Sequence, residues 1–379
     1  LTADTGTGHS QGVDADVIER IETFPLRIPF APADGPAAAP RPLTAVDSLL
    51  VRVTTAAGVQ GWGEALGFET TGATVRALDD VVTPLCLGQD ATGINALMRT
   101  LQQRLYDRGR AGPLQFALSA VDIALWDIAG KTAGLPLHRL LGGGARDLPC
   151  YASLDRAGDP ELAAAAVRHT LDAGFRAVKL HERDTAVVAA ARAEAGPGTA
   201  LMLDVNAAWN LSQARQQAAA LAGLGLAWLE EPLWPPEDYN GLARLRAEYR
   251  IPLAAGENVT AQPDFDRLMS AGAVDFIQPS PAKMGGLSEL AKVFTLAAVR
   301  GVTVMPHTFY HGPGLLAAVH AVAALGSPDA MIEWRHSGLA ARPYGPAFAP
   351  AGGRIRVPQE PGLGLDPDPA VLSAYRLPG

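Results

Sequence analysis

Three short apolar runs in this chain each stop at an acid. Ala200–Leu203 stops at Asp204, Ala227–Leu229 at Glu230-Glu231-Pro232, and Leu253–Ala255 at Gly256-Glu257-Asn258. The acids stand one strand-plus-helix repeat apart, so adjacent parallel strands would bring them to one place. Carboxylates crowded in a partly buried site repel one another and are driven towards protonation unless a cation sits among them. A cluster of carboxylate oxygens with positions left open suits Mg²⁺, one ion per site. Any one of these acids, taken alone, reads equally well as a helix N-cap or first-turn acid. The shared register of all three is what points to a metal. Of the adjacent pair, Glu230 is expected to face the site and Glu231 to be the bystander, because neighbours on a strand point to opposite faces.

Candidate acid–base groups flank these acids. The run Ala177–Leu180 leads into Lys179-Leu180-His181, and residues two apart on a strand share a face, so both side chains are expected in the same site. Pro306-His307 and Glu333-Trp334 close two later runs. A lysine beside a metal is expected to have its pKa pushed down, and a histidine titrates near neutrality. Singly, Lys179 reads as a solvated strand-end charge and His307 as a core histidine; beside the acids they read as proton-transfer groups. His311 and His336 are expected in loops, and Gly142–Gly144 in a turn.

Eight apolar runs alternate with Ala-rich helical stretches: Leu148–Ser153, Ala177–Leu180, Ala200–Leu203, Ala227–Leu229, Leu253–Ala255, Asp275–Ile277, Thr303–Met305 and Ala330–Ile332. That count, without a Gly-rich dinucleotide fingerprint, predicts an α/β fold of the (β/α)8, TIM-like barrel type rather than a doubly wound sheet. Ahead of it, Val17–Ile28 and a hairpin of Ser48–Val53 with Val59–Glu64 read as strands. A helical period runs from Gly72 to Ala133, with Leu118, Val121, Ala124, Leu125 and Ile128 on one face. The expected divisions are a loose tail at 1–14, an α+β domain at 15–135, the barrel at 136–340 and a C-terminal segment at 341–379 that returns to the first domain.

The chain has 379 residues, with 39 acidic and 31 basic side chains and a formal charge of −8, which argues against a nucleic-acid or anionic-membrane partner. Hydrophobic residues make up 48%, enough for a sizeable core rather than a disordered chain. No apolar run reaches the ~18 residues of a membrane span. Two cysteines match no zinc spacing and read as reduced thiols of a cytoplasmic protein.

With these motifs in place the chain resembles the enolase superfamily, within it the mandelate racemase/muconate lactonizing group. The resemblance rests on Ala117–Asp127, Lys179-Leu180-His181, Leu203–Asn206, Leu229–Pro232, Gly256–Asn258, Lys283–Gly286, Pro306-His307 and Ile332-Glu333, in the family's order. It implies that Asp204, Glu230 and Glu257 hold Mg²⁺, which binds a small carboxylate substrate and stabilises the enediolate left when a base takes the α-proton. It makes Lys179 an electrostatic helper, His181 the second-strand base where most members have lysine, and His307 the histidine of the opposite face. Glu333 would help only if protonated. Asn206, Lys283, Ser280 and Glu231 are expected around the substrate or behind the metal ligands. Ser280 stands where racemase-type members carry the aspartate that orients the histidine. The first domain would cap the barrel, with Ile28–Leu43 (including Asp34 and Arg41) and Leu66–Gly72 choosing the substrate. The likeness also suggests a symmetric homo-oligomer of even order.

A histidine without its carboxylate partner is a weak base and suits protonating a departing β-hydroxyl. The expected function is therefore a hydroxy-acid or sugar-acid dehydratase. A racemase or epimerase is the alternative, and a non-catalytic carboxylate-binding homologue a further one.

Overall fold

The computed structural model describes residues 16–31 and 44–378. The tail at 1–14 and most of the Ile28–Leu43 loop, with Asp34 and Arg41, lie outside the described residues. Strands β1 (Ile18–Pro29), β2 (Ala45–Thr55) and β3 (Gln60–Ala65) form an antiparallel sheet in that order. On β1 the alternating Phe24, Leu26 and Ile28 are buried, the mark of a strand with one face on the core. The helix Pro113–Ala133 lies directly on β3. A Cβ on Gly61 or Gly63 would sit 2.1 Å from the carbonyl oxygen of Ala124 or 1.8 Å from that of Ala120, so only glycine permits this approach.

That helix departs from the expected one-sided pattern: every residue from Gln115 to Leu125 is buried. Its other side packs on the helix Gly286–Arg300, where the Trp126 indole donates to Ser288 Oγ at 2.8 Å. A helix covered on both sides has no solvent face to mark with polar residues. The long helical period is also divided, with separate helices at Thr71–Ala77, Ile94–Arg104 and Pro113–Ala133 among its pieces.

Eight parallel strands follow: β4 (Asp147–Ser153), β5 (Ala177–His181), β6 (Ala200–Asp204), β7 (Trp228–Glu230), β8 (Leu253–Ala255), β9 (Phe276–Ile277), β10 (Thr303–Val304) and β11 (Ile332–Arg335). They run in the order β10-β9-β8-β7-β6-β5-β4-β11, each hydrogen-bonded to the next, as a curled sheet with helices on its outside. No ladder joins β10 to β11 among the described residues; there Thr308 Oγ1 donates to the Glu333 carbonyl at 2.6 Å instead. The α/β class and the small antiparallel sheet are as the sequence predicts.

Outward residues such as Val178, Leu180, Leu201, Leu203 and Leu229 pack against the helices. Inward ones, Tyr151, Ala177, Met202, Trp228, Ala254 and Met305, form a second cluster. Ala177, Met202 and Trp228 each stand two residues before Lys179, Asp204 and Glu230, so the period of two makes this cluster the floor under those three side chains. The C-terminal segment reaches both units. Strand β12 (Arg354–Arg356) pairs antiparallel with β4, and the Leu377 amide donates to the Pro25 carbonyl at 2.8 Å. No helix among the described residues is long and apolar enough to cross a membrane.

Candidate metal and acid–base site

Asp204 and Glu230 are the last residues of β6 and β7 and pair directly in register. Glu257 follows β8 after Gly256, whose φ of +126° is a turn that glycine adopts and other residues avoid. One oxygen from each of the three carboxylates lies within 4.8 Å of the others, and all three side chains are buried. None of them caps a helix. The helices that follow β6 and β7 are capped by Asn210 and Asp238, and the one after β8 has no side-chain cap. The alternative open to each acid alone therefore does not apply here.

Their charges are unevenly balanced. Burial and the neighbouring carboxylates push Glu230 up to about 8, against the pull of Lys179. Burial also works against ionisation of Glu257 and Asp204. For Glu257, His307 and Lys283 outweigh it, and for Asp204, His181 and Lys179 do, so both acids sit below the usual carboxylate range. Asp204 Oδ2 is buried and accepts no hydrogen bond. Three converging carboxylates, one of them with a buried oxygen that accepts no hydrogen bond, fit a hard divalent cation.

The Lys179 ammonium lies 2.8 Å from Glu230 Oε1, 2.8 Å from Glu333 Oε1 and 3.6 Å from Asp204 Oδ2, with no solvent contact. Burial alone would lower its pKa, but Glu230 and Glu333 outweigh it and hold the amine well above its ordinary value. The expectation of a depressed lysine supposes a metal ion beside it; the three carboxylates by themselves favour the ammonium. Glu333 is expected to help only if protonated. Despite burial, Lys179 and His307 draw it down to about 2, and the Thr308 amide donates to Oε2 at 2.9 Å, both of which favour the anion.

The two histidines stand on the walls of a cavity of about 410 Å³. His181 Nδ1 is 2.6 Å from the Leu154 carbonyl oxygen; since a carbonyl only accepts, Nδ1 carries the proton and Nε2 faces Asp204 Oδ2 at 3.3 Å. His307 Nε2 lies 3.2 Å from Glu257 Oε2, with Nδ1 3.3 Å from Ser280 Oγ. Burial lowers the His307 pKa, whereas at His181 Asp204 overcomes burial and raises it. Lys283 donates to Asn258 Oδ1 at 2.9 Å and lies 3.6 Å from Glu257 Oε1. Asn206, in the left-handed region at φ +47°, donates its amide to Asp204 Oδ1 at 2.8 Å.

Glu231 stands outside the converging group; the Asn258 amide reaches its oxygens at 3.2 and 3.3 Å. His311 packs edge-on against Trp334, away from the cavity. From the first domain, Phe30, Leu66 and Phe68 line the cavity.

Sequence reasoning missed Asp155, Arg156, Phe309 and Arg335, which also line it. The Arg335 guanidinium carbon stands 4.1 Å from the centre of the Phe309 ring. The period of two could have found two of these, since Arg335 follows Glu333 and Asp155 follows Ser153 by two residues.

Two family models match most of the chain. The mandelate racemase/muconate lactonizing enzyme N-terminal domain covers residues 39–142 and the enolase C-terminal domain-like model residues 161–371. D-galactarolactone cycloisomerase of Agrobacterium fabrum is 33% identical over 87% of this chain and 91% of its own length. D-galactonate dehydratase of Ralstonia pickettii is 31% identical over 86% and 90%. Among solved structures, a racemase from Streptomyces coelicolor with bound magnesium superposes with a TM-score of 0.82 at 30% identity, covering 95% of this chain and 100% of that one. The chain belongs to the enolase superfamily, as an enzyme of the mandelate racemase/muconate lactonizing group.

Proposed function

We propose that this enzyme removes the α-proton of a sugar-acid carboxylate and then expels the oxygen on the β-carbon, as a dehydratase. The observation that carries the reading is the buried convergence of Asp204, Glu230 and Glu257 between two histidines on one cavity. The three carboxylates would hold one Mg²⁺, which when bound offsets their repulsion and withdraws charge from the substrate carboxylate. His181 keeps its proton on Nδ1, so Nε2 is the atom free to take the α-proton. Lys179 stays charged and faces the negative charge that grows on the carboxylate oxygens. His307 enters the cycle as the imidazolium, its Nε2 3.2 Å from Glu257 Oε2, and gives the Nε2 proton to the leaving oxygen, becoming neutral. Asn206, Lys283 and Arg335 supply polar contacts for the hydroxyls of the chain.

The curled sheet is read as a closed (β/α)8 barrel at 136–340, with the Thr308–Glu333 contacts across the β10–β11 seam in support. The unit at 15–135 caps its mouth, and 341–379 straps the two. Buried free Cys86 and Cys150 support a cytoplasmic setting. A symmetric homo-oligomer of even order is the proposed assembly.

Incubation with a library of aldonic and aldaric acids and Mg²⁺ in D₂O tests the function. Formation of a 2-keto-3-deoxy acid is the expected result; α-deuteration without elimination would make the enzyme a racemase or epimerase. No exchange with any acid would leave a carboxylate binder. The 33% identity to a cycloisomerase favours a second reading, in which the expelled β-oxygen belongs to a lactone or anhydro ring and no water is lost.

A further inference from the structure

Glu64 and Leu66 of the first domain hold two loops that follow the parallel strands β9 and β10. Glu64 is buried near the end of β3, and its carboxylate accepts from Ser48 Oγ at 2.9 Å and from the Gly314 amide at 3.0 Å. Gly314 lies in the first turn of the helix Pro313–Leu325, whose N-cap, Gly312, has no side chain to satisfy the free amides there. Pro313 carries no N–H, so Gly314 supplies the first of those amides within the helix. A Cβ on Gly312 would stand 2.6 Å from Glu64 Cδ, so glycine is the residue that lets a carboxylate from the other domain take the capping place. Burial opposes the charge on Glu64, while Ser48 and the amides of Gly314 and Gly312 favour it.

These contacts run on into the loop that carries His307. A Cβ on Gly314 would lie 2.8 Å from Tyr310 Cε2 and 3.1 Å from Glu64 Oε2, so the tyrosine ring and the carboxylate both rest on the Gly314 backbone. The Tyr310 hydroxyl donates to the His307 carbonyl at 3.2 Å and accepts from the Ala282 amide at 3.3 Å. The Ala282 carbonyl in turn accepts from the Leu66 amide at 3.1 Å, and the Leu66 side chain lines the cavity. Residues 306–312 are thus held at both ends. At the start, the His307 amide donates to the Pro279 carbonyl at 3.1 Å and the Thr308 amide to Glu333 at 2.9 Å. At the finish, the first domain does the holding.

We infer that Glu64 is a positioning residue: by capping the helix Pro313–Leu325 from the first domain, it fixes the far end of the loop 306–312, and with it His307 and Phe309 on the cavity wall. A drift of about an ångström would carry the proton donor off the leaving oxygen, a displacement that costs about a hundredfold in rate. Removal of the α-proton is touched less, because His181 stands on β5, whose backbone is fixed between β4 and β6. The inference rests on the elimination reading, in which His307 serves the departing group and His181 the α-carbon. It adds that the first domain sets the geometry of one of the two histidines.

The test follows amide deuterium exchange by mass spectrometry in the full chain, without substrate, comparing residues 306–316 with 200–207. Glu64→Met removes the acceptor oxygens at similar volume and is expected to speed exchange in 306–316 by at least about tenfold, with 200–207 unchanged. Glu64→Gln, which keeps one acceptor oxygen, should recover most of the protection. Should Glu64→Met fail to fold, Ser48→Ala, which removes one donor to the carboxylate, carries the test with a rise of about threefold. With Mg²⁺ in D₂O and an acid that the wild type dehydrates, Glu64→Met should raise the ratio of α-deuteration to elimination by at least about fivefold. Unmoved exchange in 306–316, a rise shared equally by 200–207, or an unchanged ratio would each overturn the inference. Faster exchange confined to 306–316, in a protein that eliminates water from no acid, would uphold the anchoring of the loop and sink the elimination reading.

Discussion

Lys179 and Glu333 form an ion pair, 2.8 Å from Nζ to Oε1, with neither side chain reached by solvent. The same ammonium is 2.8 Å from Glu230. One lysine therefore ties β11 to the metal-ligand candidates on β6 and β7, and it is the main fixed cation under the site. A buried charge stripped of its partner costs roughly 3–5 kcal/mol. Lys179→Met should lower the thermal midpoint sharply and abolish turnover. Added Mg²⁺ should recover part of the lost midpoint by supplying positive charge to the same carboxylates. A variant as stable as wild type without metal would show that the acids protonate instead.

Magnesium affinity should depend on the three converging acids together. Asp204→Asn or Glu257→Gln is expected to weaken binding by at least about tenfold, read by calorimetric titration. Glu231→Gln should have a much smaller effect, because Asn258 rather than the cluster holds that carboxylate. An Asp204→Asn variant that binds magnesium as wild type does would remove the metal site from the argument.

Stability should carry a pH signature from Glu64. Its carboxyl accepts from Ser48 Oγ at 2.9 Å and from the Gly314 amide at 3.0 Å, yet burial pushes it up to about 7. The folded state then binds a proton that the unfolded chain has released, so this contribution is fully present below pH ~4.5 and is lost as pH rises through ~7. The loss is of order 3 kcal/mol. Glu64→Gln cannot titrate, so the wild-type advantage over it in urea unfolding should shrink as pH rises from 4.5 to 8. A pH-independent difference would mean that Glu64 stays ionised.

His320 should act in the opposite sense. Burial holds its imidazole down at about 4, with Nε2 3.1 Å from the Leu363 carbonyl. A depressed histidine contributes stability above its unfolded pKa of ~6.5 that is lost as pH falls through ~4. His320→Gln should flatten the acid limb of the unfolding profile, and an unchanged limb would assign acid unfolding to other groups.

Gly63→Ala tests the seat of the long helix. A methyl group there would lie 1.8 Å from the Ala120 carbonyl oxygen, and backbone cannot give way as a side chain can. The loss should exceed about 4 kcal/mol, the range reserved for core overpacking and strain. Circular dichroism melts would read it, and a small loss would mean that the helix can slide on β3.

Periodicity and residue type were sufficient for the strands and for the acids at their ends. A parallel strand buried on both faces must be a continuous apolar run, and a functional group at its mouth must be the polar residue that ends it. Hence Asp204, Glu230 and Glu257 were legible, as were Lys179 and His181 on one face of β5. Protonation was not. Whether Lys179 is raised or lowered, and Glu333 neutral or charged, depends on which charges stand within a few ångströms, and those partners come from strands far apart in sequence. The two-sided burial of Pro113–Ala133 was hidden for the same reason, since its second neighbour lies more than a hundred residues away. So was the partner of His307. Ser280 in place of an acid was visible in the chain, but only folding brings the Tyr310 hydroxyl to 3.0 Å from its Oγ, because hydrogen-bond partners are set by proximity in space and not by spacing along the sequence.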